Sequence, residues 1–328
     1  MLKAVYDRRG PVPQDVIRPV EFDKPDLTAG QVLVEVLAAP INPSDVLTLT
    51  GEYGMLPPLP AVGGNEGVGR IVEIGPDVAS CPVGQIVLLP VGSGTWATHI
   101  VADAKKLIPL PGAADPLQLA MMTINPPAAS LLLSEYVELK PGEWIIQNAA
   151  NSGVGGYLIQ LAKIRGYRTV NIVRRESAVS AVKETGGDVV LVDGDHLYRK
   201  VAEATGRADI RLGIDAVAGT ATGRIAACLS EHSTLVNYGM MSGEPCVISP
   251  RSLIFHHIVL RGFWLAKWFQ LADRKRQTAV FNELVQLIAA GKLKANIQAV
   301  YGIDRIKEAV AAAAQGGRQG KILLTPNA

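Results

Sequence analysis

The strongest constraint on this chain is a run of alternating strand and helix patterns from about residue 140 to residue 263. W-I-I-Q-N (144–148) is strand-like, and Val154, Leu158, Leu161 and Ala162 then recur at i, i+4, i+7 and i+8, the period of an amphipathic helix. Strand patterns follow at 169–173, 189–192, 211–216 and 234–238, with helical ones at 176–185, 196–204 and 220–229 between them. An apolar strand-like piece at 257–263 closes the series. Strands separated by helices of this length need right-handed crossovers, so the fold class is α/β with a Rossmann-type doubly wound parallel sheet.

The rest of the chain has a different texture. Up to about residue 120 the runs are short, β-rich and broken by Pro and Gly, with Val32, Val34 and Val36 on one face of 31–37 and further runs at 67–74, 84–89 and 98–101. That spacing predicts a small irregular β-barrel. Near the C-terminus, Val280, Leu284, Leu287 and Ile288 share a helix face that stops at Gly291, and Asp304 opens a last helix ending at Gly316 and Gly317. With 328 residues the chain has room for two domains of roughly 150 each. The expected division is a nucleotide-binding domain over 123–263 and a barrel domain over 1–122 and 264–328.

Composition removes several function classes. Hydrophobic residues are 48% and charged ones 19%, which is globular rather than disordered. The 32 basic and 30 acidic side chains are scattered, leaving no electrostatic footprint for nucleic acid. No apolar run reaches the length of a membrane helix, and the charged Asp7-Arg8-Arg9 start lacks a signal-peptide core. Three scattered cysteines, Cys81, Cys228 and Cys246, form no disulfide framework and no metal quartet. These features predict a reducing compartment and a cytoplasmic location.

The turn between the first strand and helix of the α/β run, N148-A-A-N-S-G-V-G-G156, is the usual dinucleotide site of such a sheet. On a G-x-G-x-x-G template it carries Ala150, Ser152 and Gly155, with Gly153 and Gly156 added, so the motif is degraded. Its position inside a strand–turn–helix unit supports it nonetheless. About 20 residues on, where an NAD binder carries an acidic residue for the ribose 2′-hydroxyl, stand Arg174 and Arg175. Guanidinium groups suit a 2′-phosphate and predict NADPH over NADH by on the order of a hundredfold. A solvated strand end would look the same.

Taken together, I41-N-P-S-D45, G51-E-Y-G-M-L-P-P-L-P60, V62-G-G-N-E-G67, G94-T-W96, I146-Q-N-A-A-N-S-G-V-G155 and L260-R-G-F-W-L-A-K-W268 resemble the mitochondrial-type trans-2-enoyl-thioester reductases. These are a zinc-independent, quinone oxidoreductase-like branch of the medium-chain dehydrogenase/reductase superfamily. The resemblance runs over nearly the whole chain. It implies that the barrel is a GroES-like catalytic domain. It also implies NADPH as cofactor, held by Asn148, Asn151, Ser152, Gly153, Val154, Gly155, Arg174, Arg175, Tyr238, Phe263 and Trp264.

Zinc-dependent members of the superfamily hold metal through Cys and His, at positions where this chain has Asn42 and Asn65. Amides are poor zinc ligands beside thiolate and imidazole, so no catalytic metal is expected. The five histidines show no ligand spacing. An alkene conjugated to a thioester accepts hydride at its β-carbon and then needs a proton. The resemblance assigns that proton to Tyr53, a residue that without it would read as an ordinary loop tyrosine. Asn42 is expected to assist near Tyr53 or the nicotinamide ribose, and Asn65 with Glu66 to organise a loop. Tyr53, Trp264 and Trp268 are implied to border the acyl pocket, although core packing is the simpler reading of the two tryptophans.

The chain departs from the family at T123-I-N-P-P-A-A-S130, where Ala128 and Ser130 replace a Thr and a Tyr near the nicotinamide. The expected reaction is NADPH-dependent reduction of enoyl thioesters carried by coenzyme A or acyl carrier protein. Asp273-Arg274-Lys275-Arg276 is a candidate contact for an acidic carrier, though a solvated helix start explains it as well. An NADPH:quinone or enone reductase of the same fold is the alternative, and a non-catalytic NADPH-binding structural protein the third reading. A homodimer is implied through pairing of edge strands, with the segment around 246–250 as the candidate edge.

Overall fold

A computed structural model describes residues 1–79, 81–112 and 114–327. The chain divides into two compact units, Met1–Ile124 with Glu283–Ala328, and Asn125–Asn282.

In the first unit the long strand Gln31–Ile41 is the organiser. It pairs antiparallel with Val68–Ile74 along one edge and with His99–Asp103 along part of the other. Its C-terminal end pairs with Lys321–Leu324, which brings the end of the chain into a seven-stranded sheet. A second sheet of three strands is built on Leu2–Tyr6. Val32, Val34 and Val36 are fully buried, as their alternation requires. Trp96 is also fully buried, its indole N–H donating to the Pro40 carbonyl at 3.3 Å. The G-G of V62-G-G-N-E-G67 follows from this: a Cβ on Gly63 would lie 2.2 Å from the Trp96 ring, and one on Gly64 2.5 Å from it.

The second unit carries a six-stranded sheet in the order Val189–Val192, Arg168–Val173, Trp144–Gln147, Ile210–Asp215, Thr234–Asn237, Val259–Gly262, every pair parallel. In order of appearance the strands run 3-2-1-4-5-6, the doubly wound arrangement whose ligand crevice opens beyond the carboxyl ends of strands 1 and 4. Asn148 and Asp215 stand at that crevice. Ile145, Ile146, Val170, Leu212, Ile214 and Leu235 are fully buried between helical layers, each contributing roughly 1.5–3 kcal/mol of hydrophobic stabilisation.

Residues 264–282 fall in this second unit, whereas the sequence expectation carried the first domain onward from 264. Phe269 stacks on Phe281 at 5.8 Å, and the Arg276 guanidinium donates to both carboxylate oxygens of Glu135 at 2.6 and 2.5 Å. Asp273 accepts from the Arg276 N–H at 2.7 Å as that helix begins, so the basic run is a helix start. The stretch 246–250 is not a strand; the Val247 N–H donates to Gly219 O at 3.1 Å, and the sheet edge is Val259–Gly262. Among the described residues no helix is long and apolar enough to cross a membrane.

Candidate active site

The helix Gly153–Ile164 begins directly after the first parallel strand, and Ser152 is its N-cap, accepting from the Gly155 N–H at 3.1 Å. Ala149 takes a positive φ of 47° to turn the chain into it. Gly155 is the glycine that the geometry demands: a Cβ there would meet the Ala150 and Ala149 carbonyl oxygens at 2.6 and 2.8 Å. Gly153 lies under the Asn125 side chain, whose atoms sit 3.4 Å from where its Cβ would be. At a helix start of this kind the N–H groups of Gly153 and Val154 have no intrahelical acceptor and carry the positive end of the helix dipole. The Tyr238 hydroxyl hydrogen-bonds to the Ser152 side chain. Burial, reinforced by the Asp215 charge, holds that phenol well above its usual range, against the effect of the Ser152 bond.

Asp215 ends the fourth parallel strand and is fully buried. It accepts from Asn148 Nδ2 at 2.6 Å, from the N–H groups of Val217 and Ala218 at 2.9 and 3.1 Å, from Thr222 Oγ1 at 2.6 Å and from Asn237 Nδ2 at 3.2 Å. Asn148 returns the tie, its Oδ1 accepting from the Ala216 N–H at 2.7 Å. One carboxylate thus fixes the carboxyl ends of three strands around the crevice. Asn148 was expected at this site, but Asp215, Thr222, Asn237 and Asn125 were not. The available signal was an isolated Asp closing the apolar run I-R-L-G-I-D, opposite Asn148 in the sheet.

Arg174 and Arg175 follow the second parallel strand, and both are exposed. Among the described residues neither forms an ion pair. Asn151 is exposed and Val154 is buried on the helix. Phe263 packs edge-to-face on Tyr136 at 6.4 Å. Trp264 is 42% exposed, so core packing does not describe it. Trp268 packs edge-to-face on Phe269, and its indole N–H is buried without a hydrogen-bond partner among the described residues. Ser130 is buried with its hydroxyl accepting from Arg165 Nη2 at 2.6 Å, and Ala128 is buried beside it on the Asn125–Leu132 helix.

In the first unit the helix Pro43–Thr50 carries both catalytic candidates at its ends. Asn42 is the N-cap of a capping box with Asp45, and the Asn42 N–H donates to Asp45 Oδ2 at 2.7 Å. At the other end Gly51, with φ 88°, closes the helix. The N–H groups of Gly51, Glu52 and Tyr53 then converge on the Leu47 carbonyl at 2.9, 2.9 and 3.2 Å. That turn presents Tyr53, which is half-buried.

Asn42 is also the hub of a buried polar cluster. Its Nδ2 donates to Glu66 Oε1 at 2.6 Å, and its Oδ1 accepts from the Lys321 ammonium. Asn65 Nδ2 donates to Asp45 Oδ1 at 2.7 Å. Glu66 Oε2 accepts from the N–H groups of Thr123 and Ile124 at 3.1 and 3.0 Å. Asp45, Glu66, Asn42 and Lys321 are all nearly inaccessible to solvent. Burial raises the Asp45 carboxyl to about 6 and pushes Glu66 up, while burial pushes the Lys321 ammonium down against the attraction of both carboxylates. Both amides at the zinc-ligand positions are committed to this cluster. Among the described residues no group of three His, Cys, Asp or Glu side chains is arranged to hold a metal. Lys321 was invisible as a site residue, being one lysine at the head of an apolar strand.

A GroES-like lobe joined to a parallel nucleotide-binding sheet, with asparagine at both zinc-ligand positions, defines a medium-chain dehydrogenase/reductase. The family described as alcohol dehydrogenase GroES-like domain matches residues 28–112, and that described as zinc-binding dehydrogenase matches residues 153–290. The mitochondrial enoyl-[acyl-carrier-protein] reductase of Xenopus tropicalis is 37% identical over 298 residues, 88% of this chain and 85% of that protein. The one from Arabidopsis thaliana is 35% identical, over 88% of this chain and 79% of that protein. Among solved structures, a Bacillus thuringiensis protein described as an NADPH:quinone reductase superposes with a TM-score of 0.89 at 26% identity, over 99% of this chain and 98% of that one. The mitochondrial 2-enoyl thioester reductase Etr1p/Etr2p heterodimer from Candida tropicalis gives 0.88, and the Etr1p/NADP/crotonyl-CoA complex 0.87, each at 26% identity over 99% of both chains. The chain belongs to the enoyl-[acyl-carrier-protein] reductase family within the medium-chain dehydrogenase/reductases.

These relatives correct one expectation. They are named mitochondrial, so the cytoplasmic location read from composition and cysteine count does not stand. The physical reason is that charge balance and free thiols suit any reducing compartment.

Proposed function

We propose that this chain is an NADPH-dependent oxidoreductase that saturates the 2,3 double bond of trans-2-enoyl thioesters. The observation that carries the reading is the likeness, over 99% of the chain, to a thioester reductase solved with NADP and crotonyl-CoA. The residues present fit the nucleotide. A Ser152-capped helix start offers N–H groups for the pyrophosphate, and two exposed guanidiniums just after the second strand are available to a 2′-phosphate. Asn148, Ser152, Gly153, Val154, Gly155, Asn125 and Tyr238 would hold it, with Arg174 and Arg175 on the phosphate; Asn151, Phe263 and Trp264 complete the assignment. When bound, NADPH supplies a hydride to the β-carbon of the enoyl group.

The protein's own part is the proton and the binding of the substrate. Tyr53 gives its phenolic proton to the α-carbon as the enolate collapses, and solvent returns it. The buried cluster of Asn42, Asp45, Glu66 and Lys321 holds the start of the Pro43–Thr50 helix, whose closing turn carries Tyr53. Trp264 and Trp268 shape the acyl pocket. Both coenzyme A and acyl carrier protein are suitable thioester carriers, Arg274 and Lys275 being the cations left exposed for an acidic one.

NADPH oxidation is to be followed with crotonyl-CoA, crotonyl-acyl carrier protein and a naphthoquinone, with NADH as control. Turnover of the thioesters alone supports the reading. Turnover of the quinone alone favours the alternative suggested by the Bacillus structure, and tight NADPH binding without turnover favours a structural role.

A homodimer through the sheet edge Val259–Gly262 belongs to the same proposal. Val259 and Leu260 are 47% and 36% exposed, and Phe255 just before them is 68% exposed. An edge strand this apolar is a template for pairing. A monomeric mass for the wild type in sedimentation would remove it.

A further inference from the structure

Arg9 lies in the link after the first strand, far from the nucleotide turn in sequence, and touches both ends of the loop that carries Tyr53. One Nη2 donates to the Pro57 carbonyl. Its Cδ and Cβ lie 3.4 and 3.6 Å from where a Cβ on Gly51 would be, so the methylene stem fills the space that the left-handed cap leaves open. The adjacent Gly10 N–H donates to Leu49 O at 3.1 Å, locking the link onto the end of the same helix. Arg9 thereby spans from two residues before Tyr53 to four residues after it. Between Gly54 and Pro60 no backbone N–H donates to a backbone carbonyl among the described residues. That stretch is held by a side chain from outside rather than by its own ladder. The Arg9 stem lies at the Gly51 cap of the Pro43–Thr50 helix, the end at which a cation is favoured. Its Nε is buried with no partner among the described residues, a cost that reach to Pro57 would justify.

We propose that Arg9 is a positioning residue for the reduction: by clamping Gly51 and Pro57 it holds the Tyr53 phenol in the pose from which the proton is delivered. This rests on the assignment of Tyr53 above. Nothing in the local sequence announces it, because Arg9 is one of two adjacent arginines in a charged turn.

Arg9→Met keeps the stem over Gly51 and deletes the bond to Pro57, while Arg9→Lys restores a single cationic donor. With crotonyl-CoA, Arg9→Met is expected to lower kcat about tenfold with the NADPH Kd and the Tm unchanged, and Arg9→Lys to recover part of the loss. In a Tyr53→Phe background, Arg9→Met should cost nothing further, since its effect passes through the phenol. Equal losses in both backgrounds, or an unchanged kcat, overturn the proposal. Hydrogen exchange of the amides from Glu52 to Leu59 reads the clamp without any substrate, and about tenfold faster exchange is expected in Arg9→Met. Unchanged exchange overturns the clamp whatever the acceptor. Faster exchange in a protein that reduces no enoyl thioester supports the clamp and overturns the functional reading instead.

Discussion

Lys321 and Asn42, 279 residues apart in the chain, meet inside the first unit, where the lysine ammonium donates to the asparagine side-chain carbonyl. The contact joins the last strand of the protein to the helix that ends beside Tyr53, and it sets a positive charge between two buried carboxylates. Lys321→Met would leave Asp45 and Glu66 without a counter-charge in a dry site. Removing one partner of a buried ion cluster costs about 3–5 kcal/mol. Urea unfolding is expected to show a loss of that size, partly recovered when Glu66→Gln is added. An unchanged midpoint would mean that the ammonium does not compensate the carboxylates.

The same cluster makes stability depend on pH. Burial lifts the Asp45 carboxyl from its ordinary 3.8 to about 6, against hydrogen bonds from Asn42 and Asn65 and the Lys321 charge. The folded state therefore keeps a proton that the unfolded chain has released. This contribution is whole below about pH 4 and is lost as the pH rises to 6, amounting to about 3 kcal/mol. Asp45→Asn, neutral throughout, should remove the Asp45 share of that slope and leave the share of Glu66, whose carboxyl burial also raises. Unfolding midpoints of both proteins at pH 4, 5 and 6 provide the comparison, and parallel curves would place the slope on another group.

Tyr53→Phe keeps the ring and removes the proton. Loss of a general acid costs about 10²- to 10⁴-fold, so kcat for enoyl-CoA should fall by that order while NADPH binds as before. Steady-state turnover with a parallel nucleotide titration separates the two effects. Near-wild-type turnover would take Tyr53 out of the chemistry.

The parts of this molecule that could be read from its sequence are those made by neighbours along the chain. Val154, Leu158, Leu161 and Ala162 announce their helix because its face repeats every three or four residues, and Ser152 and Gly155 sit one turn apart in that same helix start. Asp215 is tied to Asn148 across 67 positions, and a lone Asp at a strand end has no period to betray it. Lys321 is hidden for the same reason. The strand at Val259–Gly262 is legible as an apolar run, but its place at the sheet edge comes from pairing with Thr234–Asn237. Residues 264–282 group with the second unit through contacts such as the Arg276–Glu135 pair, which no boundary signal in the sequence records.

The cofactor choice proposed above is assigned to a pair of exposed side chains. Arg174 and Arg175 are exposed beyond the second strand, and among the described residues no carboxylate neutralises them, so their replacement should leave stability within about 0.5 kcal/mol. Each charged hydrogen bond to a 2′-phosphate is worth about 1.5–3 kcal/mol. Arg174→Ala with Arg175→Ala is then expected to weaken NADPH binding by on the order of a hundredfold and to leave NADH binding as it was. Because such bonds would be made by exposed guanidiniums, the wild-type preference should also shrink as salt is raised from low to physiological strength. Fluorescence titration of both nucleotides into both proteins, at two salt concentrations, reads all of this at once. Equal losses for NADPH and NADH in the double variant would show that the arginines support the crevice rather than the phosphate, and the preference would then have to arise elsewhere along the turn.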